Sequence, residues 1–225
     1  MNTQQPIECD LNESADELFA NDEWCAQVKL DGRRCVIFSD GGNLRAETRN
    51  GNAQALPAKV RALIPLGTFT LDGELVGDDF TAFDLVSIGG DDVRGLPFEE
   101  RHRLLATLGV PMLEYVTGEA AKRDLCLSVK RSGGEGIVFK KLGDKYREGK
   151  TANQVKLKNW RSDTFEVLAV EDGEMVIGKH GRECHRTAGA LAVGTLVEFS
   201  FLERTKAGKL RHPQFIGVRD DLQVA

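Results

Sequence analysis

The sequence predicts an α+β protein in two domains. Antiparallel sheets with flanking helices occupy residues 1–161, and a small all-β barrel occupies residues 162–225. Three observations carry this. Up to Trp160, stretches alternating with period two are interleaved with stretches whose apolar residues recur at three and four. After Trp160 the helical spacing disappears. Glycine turn dipeptides punctuate both halves, among them Asp40-Gly41 and Asp172-Gly173.

The elements follow in chain order. Ser14 and Glu17 in "NESADELFA" form a capping box that opens a short helix. Residues 24–38 read as one strand, turned at Asp40-Gly41 into a second strand ending at Arg49. "LPAKVRALI" places Val60, Leu63 and Ile64 at helical spacing, with Pro57 suited to the first turn. "GTFTLDGELVG" and "FTAFDLVSI" are strands joined by a Gly-Asp-Asp turn. "LPFEERHRLLATLG" is a helix with Pro97 near its start and Gly109 past its end. A further helix covers about 118–131 and stops at Gly133-Gly134. "EGIVFKK" and "NQVKLKNW" are strands. Beyond them, residues 164–179 form a hairpin, and residues 195–218 form another that turns near Ala207-Gly208. There Val197, Phe199 and Phe201 share one face, with Glu198 and Ser200 on the other. Short strands with glycine turns suit a five-stranded oligonucleotide-binding barrel.

Composition narrows the function. The chain has 225 residues, 41% hydrophobic and 29% charged, as in ordinary globular proteins. It has neither an apolar run long enough for a membrane span nor a basic-then-apolar leader. Five scattered cysteines without CxxC suggest reduced thiols and a cytoplasmic protein. Cys184-His185 reads as a surface turn. The net charge is -5, yet residues 130–161 alone carry +7, which leaves -12 for the remainder. Such a segment is either a solvated basic surface or one basic face for a polyanion.

Four polar clusters fall on the expected strands: Lys29 to Arg34, Asp72-Gly73-Glu74, Glu135-Gly136, and Lys156-Leu157-Lys158. Residues i and i+2 of a strand share a face, so Lys29 with Asp31, Asp72 with Glu74, and Lys156 with Lys158 pair up. Taken singly, Asp-Gly is a turn, Phe83 is a core aromatic, and the two lysines are the exposed face of an edge strand. Together on one sheet they need a highly charged ligand, and a nucleoside triphosphate with Mg²⁺ supplies both signs of charge.

The order of these clusters resembles the covalent nucleotidyltransferases, which include ATP-dependent DNA ligases, RNA ligases and mRNA-capping guanylyltransferases. Lys29-x-Asp31-Gly32-x-Arg34 matches the family's first motif, Asp72-Gly73-Glu74 the third, Phe83-Asp84 the aromatic motif, Glu135-Gly136-Ile137-Val138 the fourth and Lys156-Leu157-Lys158 the fifth. "RHPQF" through Arg219 resembles the sixth, with Leu222 where the family has lysine. The resemblance implies a nucleotidyltransferase (adenylation) domain of ATP-grasp-like sheets over 1–161 and an OB-fold over 162–225. It implies Lys29 as the nucleophile that takes AMP from ATP. ATP would be bound by Gln27 at the base, Phe83 stacking on adenine, Glu74 and Arg34 at the ribose, Lys156 and Lys158 at the α-phosphate, and Arg219 at pyrophosphate. Asp31 and Glu135 would hold Mg²⁺ or Mn²⁺. Arg34, Arg49 and Arg161 would contact DNA. Small size resembles bacteriophage or minimal bacterial DNA ligases most, acting on nicked duplex DNA as a monomer in repair, replication or recombination. An RNA ligase, a capping-type guanylyltransferase or a non-catalytic nucleic-acid-binding relative are the alternatives.

Overall fold

The computed structural model describes residues 3–9, 14–219 and 221–222. The chain forms two compact units, Met1–Lys158 and Asn159–Ala225.

The first unit begins with β1 (Gln4–Glu8), α1 (Ser14–Ala20), β2 (Trp24–Val28), β3 (Arg33–Asp40) and β4 (Asn43–Glu47). Then come α2 (Ala58–Leu63), β5 (Phe69–Val76), β6 (Asp79–Ile88) and β7 (Asp91–Asp92). It closes with α3 (Phe98–Ala106), α4 (Glu119–Arg131), β8 (Gly136–Lys141) and β9 (Gly149–Lys158). Two sheets result, in the orders β1-β9-β8-β2 and β4-β3-β5-β6-β7. Each has its own core. Ile37, Leu71, Leu85 and Leu105 are fully buried in the five-stranded sheet's cluster, where α3 packs on β6. Ala26, Ile137, Phe139 and Phe19 fill the other, where α4 packs on β2 and β8.

The single strand expected over 24–38 is two strands in two different sheets, broken at residues 29–32. Gly32 explains the break. A Cβ there would lie 2.3 Å from the Leu75 carbonyl oxygen, so only glycine lets the chain pass β5 this closely. Lys29 and Asp31 therefore do not share a strand face, and the four polar clusters lie on two sheets rather than one. β4 stops at Glu47, leaving Arg49 in a turn. The turn between β3 and β4 is Gly41-Gly42, both at positive φ. β1 has no counterpart in the sequence reading. It pairs parallel to β9, with Glu8 opposite Lys156. α1 is present, while the Ser14 side chain of its expected capping box lies outside the described residues.

The second unit holds β10 (Arg161–Glu171), β11 (Glu174–Lys179), β12 (Arg182–Ala188) and β13 (Leu196–Phe201). The short β14 (Glu203–Arg204) and β15 (Leu210–Arg211) precede β16 (Gln214–Val218). Five of these strands form one antiparallel sheet in the order β12-β11-β10-β13-β16. Phe165, Val167, Ile177, Val197 and Phe199 make its core, so the alternation along β13 falls as expected. Cys184-His185 is not a surface turn but part of β12, with Cys184 buried. All five cysteines are free thiols. Among the described residues no helix is long and apolar enough to cross a membrane.

Candidate active site

Lys29 follows β2 directly, and its amide donates to the Gly136 carbonyl at 2.9 Å, extending the β2–β8 ladder by one rung. That rung fixes where the side chain starts. The ammonium pairs with the Glu135 carboxylate, both side chains mostly shielded from solvent. Glu135 itself precedes β8, and Gly136 is what allows it there. Gly136 has φ +146°, and a Cβ on it would lie 2.1 Å from the Leu157 carbonyl oxygen of β9. Two motif glycines thus bring the Lys29 loop, the Glu135 turn and the twin-lysine strand together.

Lys156 and Lys158 alternate along β9 and both face the Glu8 carboxylate, at 3.7 and 3.2 Å. Burial, then Lys158, and then Lys29 and Arg49 together hold the Lys156 amine below its ordinary range. Arg49, although in a turn, therefore belongs to the same cationic group. Glu74 joins it from β5. Burial pushes its carboxyl up to about 7, against the pull of Arg34, Lys29 and Arg49. Near neutral pH this acid exchanges its proton.

Arg34 is tied into the fold beside these groups. Its guanidinium is buried and forms a bidentate pair with Asp72, with a further bond to the Gln4 carbonyl at 3.1 Å. Burial would lower its proton affinity, but the Asp72 carboxylate outweighs burial and keeps it charged. The Tyr146 hydroxyl donates to the same carboxylate at 2.6 Å. So engaged, the guanidinium is held between β5 and the carbonyl of β1. Its carbon sits 4.5 Å from the centre of the half-buried Phe83 ring.

Gln27 is buried on β2, two residues before Lys29. Its Nε2 donates to the Leu113 carbonyl at 3.0 Å, while Oε1 has no hydrogen-bond partner among the described residues. A buried acceptor in that condition is costly unless something donates to it. Asp31 is exposed in the loop after Lys29. Among the described residues, no three His, Cys, Asp or Glu side chains converge as a metal cage. Arg161 is exposed at the start of β10. Arg219 follows β16, bound to Asp221 at 2.7 Å and Glu198 at 3.3 Å. The pocket lined by Phe38, Asp40, Arg45 and Arg61 lies at the opposite end of β3 from Arg34 and contains none of the expected site residues.

Lys140, one of the ten basic residues of 130–161, is buried beside Phe83, donating to its carbonyl at 3.0 Å and lying 4.8 Å from the ring's centre. Burial lowers its amine to about 8. The ten basic residues of 130–161 are therefore not one solvated face. Strand alternation gives no signal of this, since the core residues Ile137 and Phe139 share a face with half-exposed Lys141 rather than with Lys140.

A family model described as RNA ligase matches residues 22–158. The multifunctional non-homologous end joining protein LigD of Pseudomonas aeruginosa is 33% identical over 178 residues, covering 65% of this chain and 21% of that protein. A probable DNA ligase of Anaeromyxobacter sp. is 29% identical over 211 residues, covering 75% of this chain and 40% of its own. The chain thus spans about a fifth to two fifths of the length of these curated relatives. Among solved structures, a Lig E DNA ligase superposes with a TM-score of 0.72 at 21% identity, covering 97% of this chain and 99% of its own. The ligase domain of Mycobacterium tuberculosis LigD gives a TM-score of 0.61 at 20% identity, covering 99% and 96%. Both share this fold.

Proposed function

The chain belongs to the RNA ligase family, and on that premise we propose that it is an ATP-dependent DNA ligase. It seals 5′-phosphate/3′-hydroxyl nicks in duplex DNA, with Lys29 as nucleophile. The observation that carries this is the Lys29–Glu135 pair, set at a break between two sheets within reach of Glu74, Arg49 and Lys156.

The Lys29 ammonium first passes a proton to water, and the neutral amine attacks the α-phosphorus of ATP. A P–N bond forms, the bond to the bridging oxygen breaks, and pyrophosphate leaves. A 5′-phosphate oxygen then attacks the adenylyl phosphorus and Lys29 is released. Attack by the 3′-hydroxyl on the DNA phosphate closes the nick and expels AMP. Lys156 and Lys158 hold the α-phosphate, where positioning and charge neutralisation supply most of the catalysis. Ionised Glu74 accepts from ribose hydroxyls, and Phe83 stacks on the base. Asp31 and Glu135 offer the oxygen donors a hard cation prefers and would hold it. Bound there, Mg²⁺ or Mn²⁺ would neutralise charge building on the phosphates. Lys29 is free to react once it parts from Glu135.

Gln27 supports ATP over GTP. The Leu113 carbonyl needs the amide's NH₂ end, which leaves Oε1 to accept from adenine's exocyclic amine. Guanine would present a carbonyl oxygen there and leave both acceptors unpaired. The five-stranded sheet of the second unit supports an OB-fold over 162–225, with β12 and β16 as the strands whose pairing would close it. Arg161, at the start of β10, and Arg49 are the proposed DNA contacts. The protein acts as a monomer in the cytoplasm.

The curated relatives' names favour DNA, and the family model's name keeps RNA as the second reading. Sealing assays on nicked duplexes with DNA or RNA on the broken strand separate them. We expect sealing of the DNA nick at a rate at least ~10-fold above the RNA nick. Sealing of RNA alone, or a GTP-only adduct, would refute the assignment.

A further inference from the structure

Glu8 belongs to no motif, yet it is the carboxylate that both phosphate-binding lysines face. β1 runs parallel beside β9 with Glu8 opposite Lys156 and its neighbour Cys9 donating to the Lys156 carbonyl at 3.0 Å. The far end of the strand is tied into the buried floor. The Gln4 amide donates to the Tyr146 hydroxyl at 3.1 Å, and its carbonyl accepts from Arg34 at 3.1 Å. The strand cannot slide, so the side chain at position 8 is delivered to one place. There its two oxygens sit 3.7 Å from the Lys156 ammonium and 3.2 Å from that of Lys158. The lysines are 25% and 16% exposed, whereas Glu8 is 44% exposed. The acid thus approaches from the open side, the side from which a ligand arrives.

We propose that Glu8 is the resting counter-ion of this lysine pair, occupying the place of the α-phosphate and leaving when nucleotide enters. This rests on the assignment of Lys156 and Lys158 to the α-phosphate. A carboxylate and a phosphate offer the same lysines the same kind of oxygen, so the two compete. Glu8 places negative charge against both lysines, so removing it strengthens their pull on any anion. With it, only a ligand that also engages the base and ribose displaces the acid. Glu8 is thereby a positioning and selectivity residue: it weakens the hold on ATP slightly and the hold on bare phosphates as much or more.

The test is the ATP dependence of lysyl-AMP formation in wild type and in Glu8→Gln, at low and high salt. We expect Glu8→Gln to lower KM for ATP by about threefold at low ionic strength with kcat unchanged. The gap should close as salt screens the carboxylate. Inorganic pyrophosphate, measured by calorimetry, should bind the variant at least threefold tighter. A merely structural role would raise KM or lower the melting temperature and would show no such salt dependence. Should Glu8→Gln lose stability, Glu8→Asp keeps the charge and pulls it back from Lys158, and it must move KM in the same direction by a smaller factor. Equal KM and equal pyrophosphate affinity in wild type and variant overturn this proposal alone. Absence of any lysyl-AMP in wild type overturns the ligase reading and this one with it.

Discussion

In the first unit, Arg34 with Asp72 and Arg101 with Asp84 are paired almost entirely out of water. In the second unit, Asp163 with Lys179 and Arg204, and Arg219 with Asp221, are paired at the surface. The chemistry of the pairs is alike and their surroundings are not. A buried charge without its partner is strongly destabilising, so the first set locks a floor under Phe83 and Glu74. A surface pair is worth little and exchanges easily for another anion. The difference teaches that one unit uses ion pairs to fix geometry, and that the other keeps cations available.

Breaking that contrast gives the largest expected effect. Asp72→Ala should lower unfolding free energy in urea by about 3–5 kcal/mol, because Arg34 and the Tyr146 hydroxyl both lose their acceptor. Next, Lys158→Ala should slow lysyl-AMP formation by about 10²-fold with thermal stability nearly unchanged, as measured by quenched-flow with labelled ATP. Glu74 sharpens the comparison through pH. Its folded carboxyl titrates near 7, above the unfolded value, so the folded state holds the extra proton. Stability from this group is therefore full below about pH 4.5 and is lost as pH rises through about 7. Glu74→Gln should melt about 4 °C higher than wild type at pH 8, with the gap gone at pH 4, as read by calorimetry. Smallest is Asp163→Asn in the second unit, at under about 1 kcal/mol in the same urea assay.

Most of the candidate site was legible because its motifs are local. Glycine-flanked acids and paired lysines read directly from "KLDGRR", "LDGEL" and "VKLK". What escaped depended on partners far along the chain. β1 is five residues of mixed polarity whose pairing strand lies more than 140 positions away, so no local pattern announces it. The break after β2 was hidden because residues on both sides are good strand formers; the close passage of Gly32 against β5 decides it. The buried acceptor of Arg34 has no local signal because Asp72 belongs to another strand. β12 reads as polar loop because only Cys184 is buried along it.

The central claim is that the Lys29 amine becomes charged with AMP. Intact-mass spectrometry of wild type and Lys29→Ala after incubation with ATP and Mg²⁺, followed by peptide mapping, tests it most directly. One adenylyl group on the Lys29 peptide of wild type, absent from the variant and from a GTP control, is the predicted result. An adduct on another residue, or none on wild type, would contradict it.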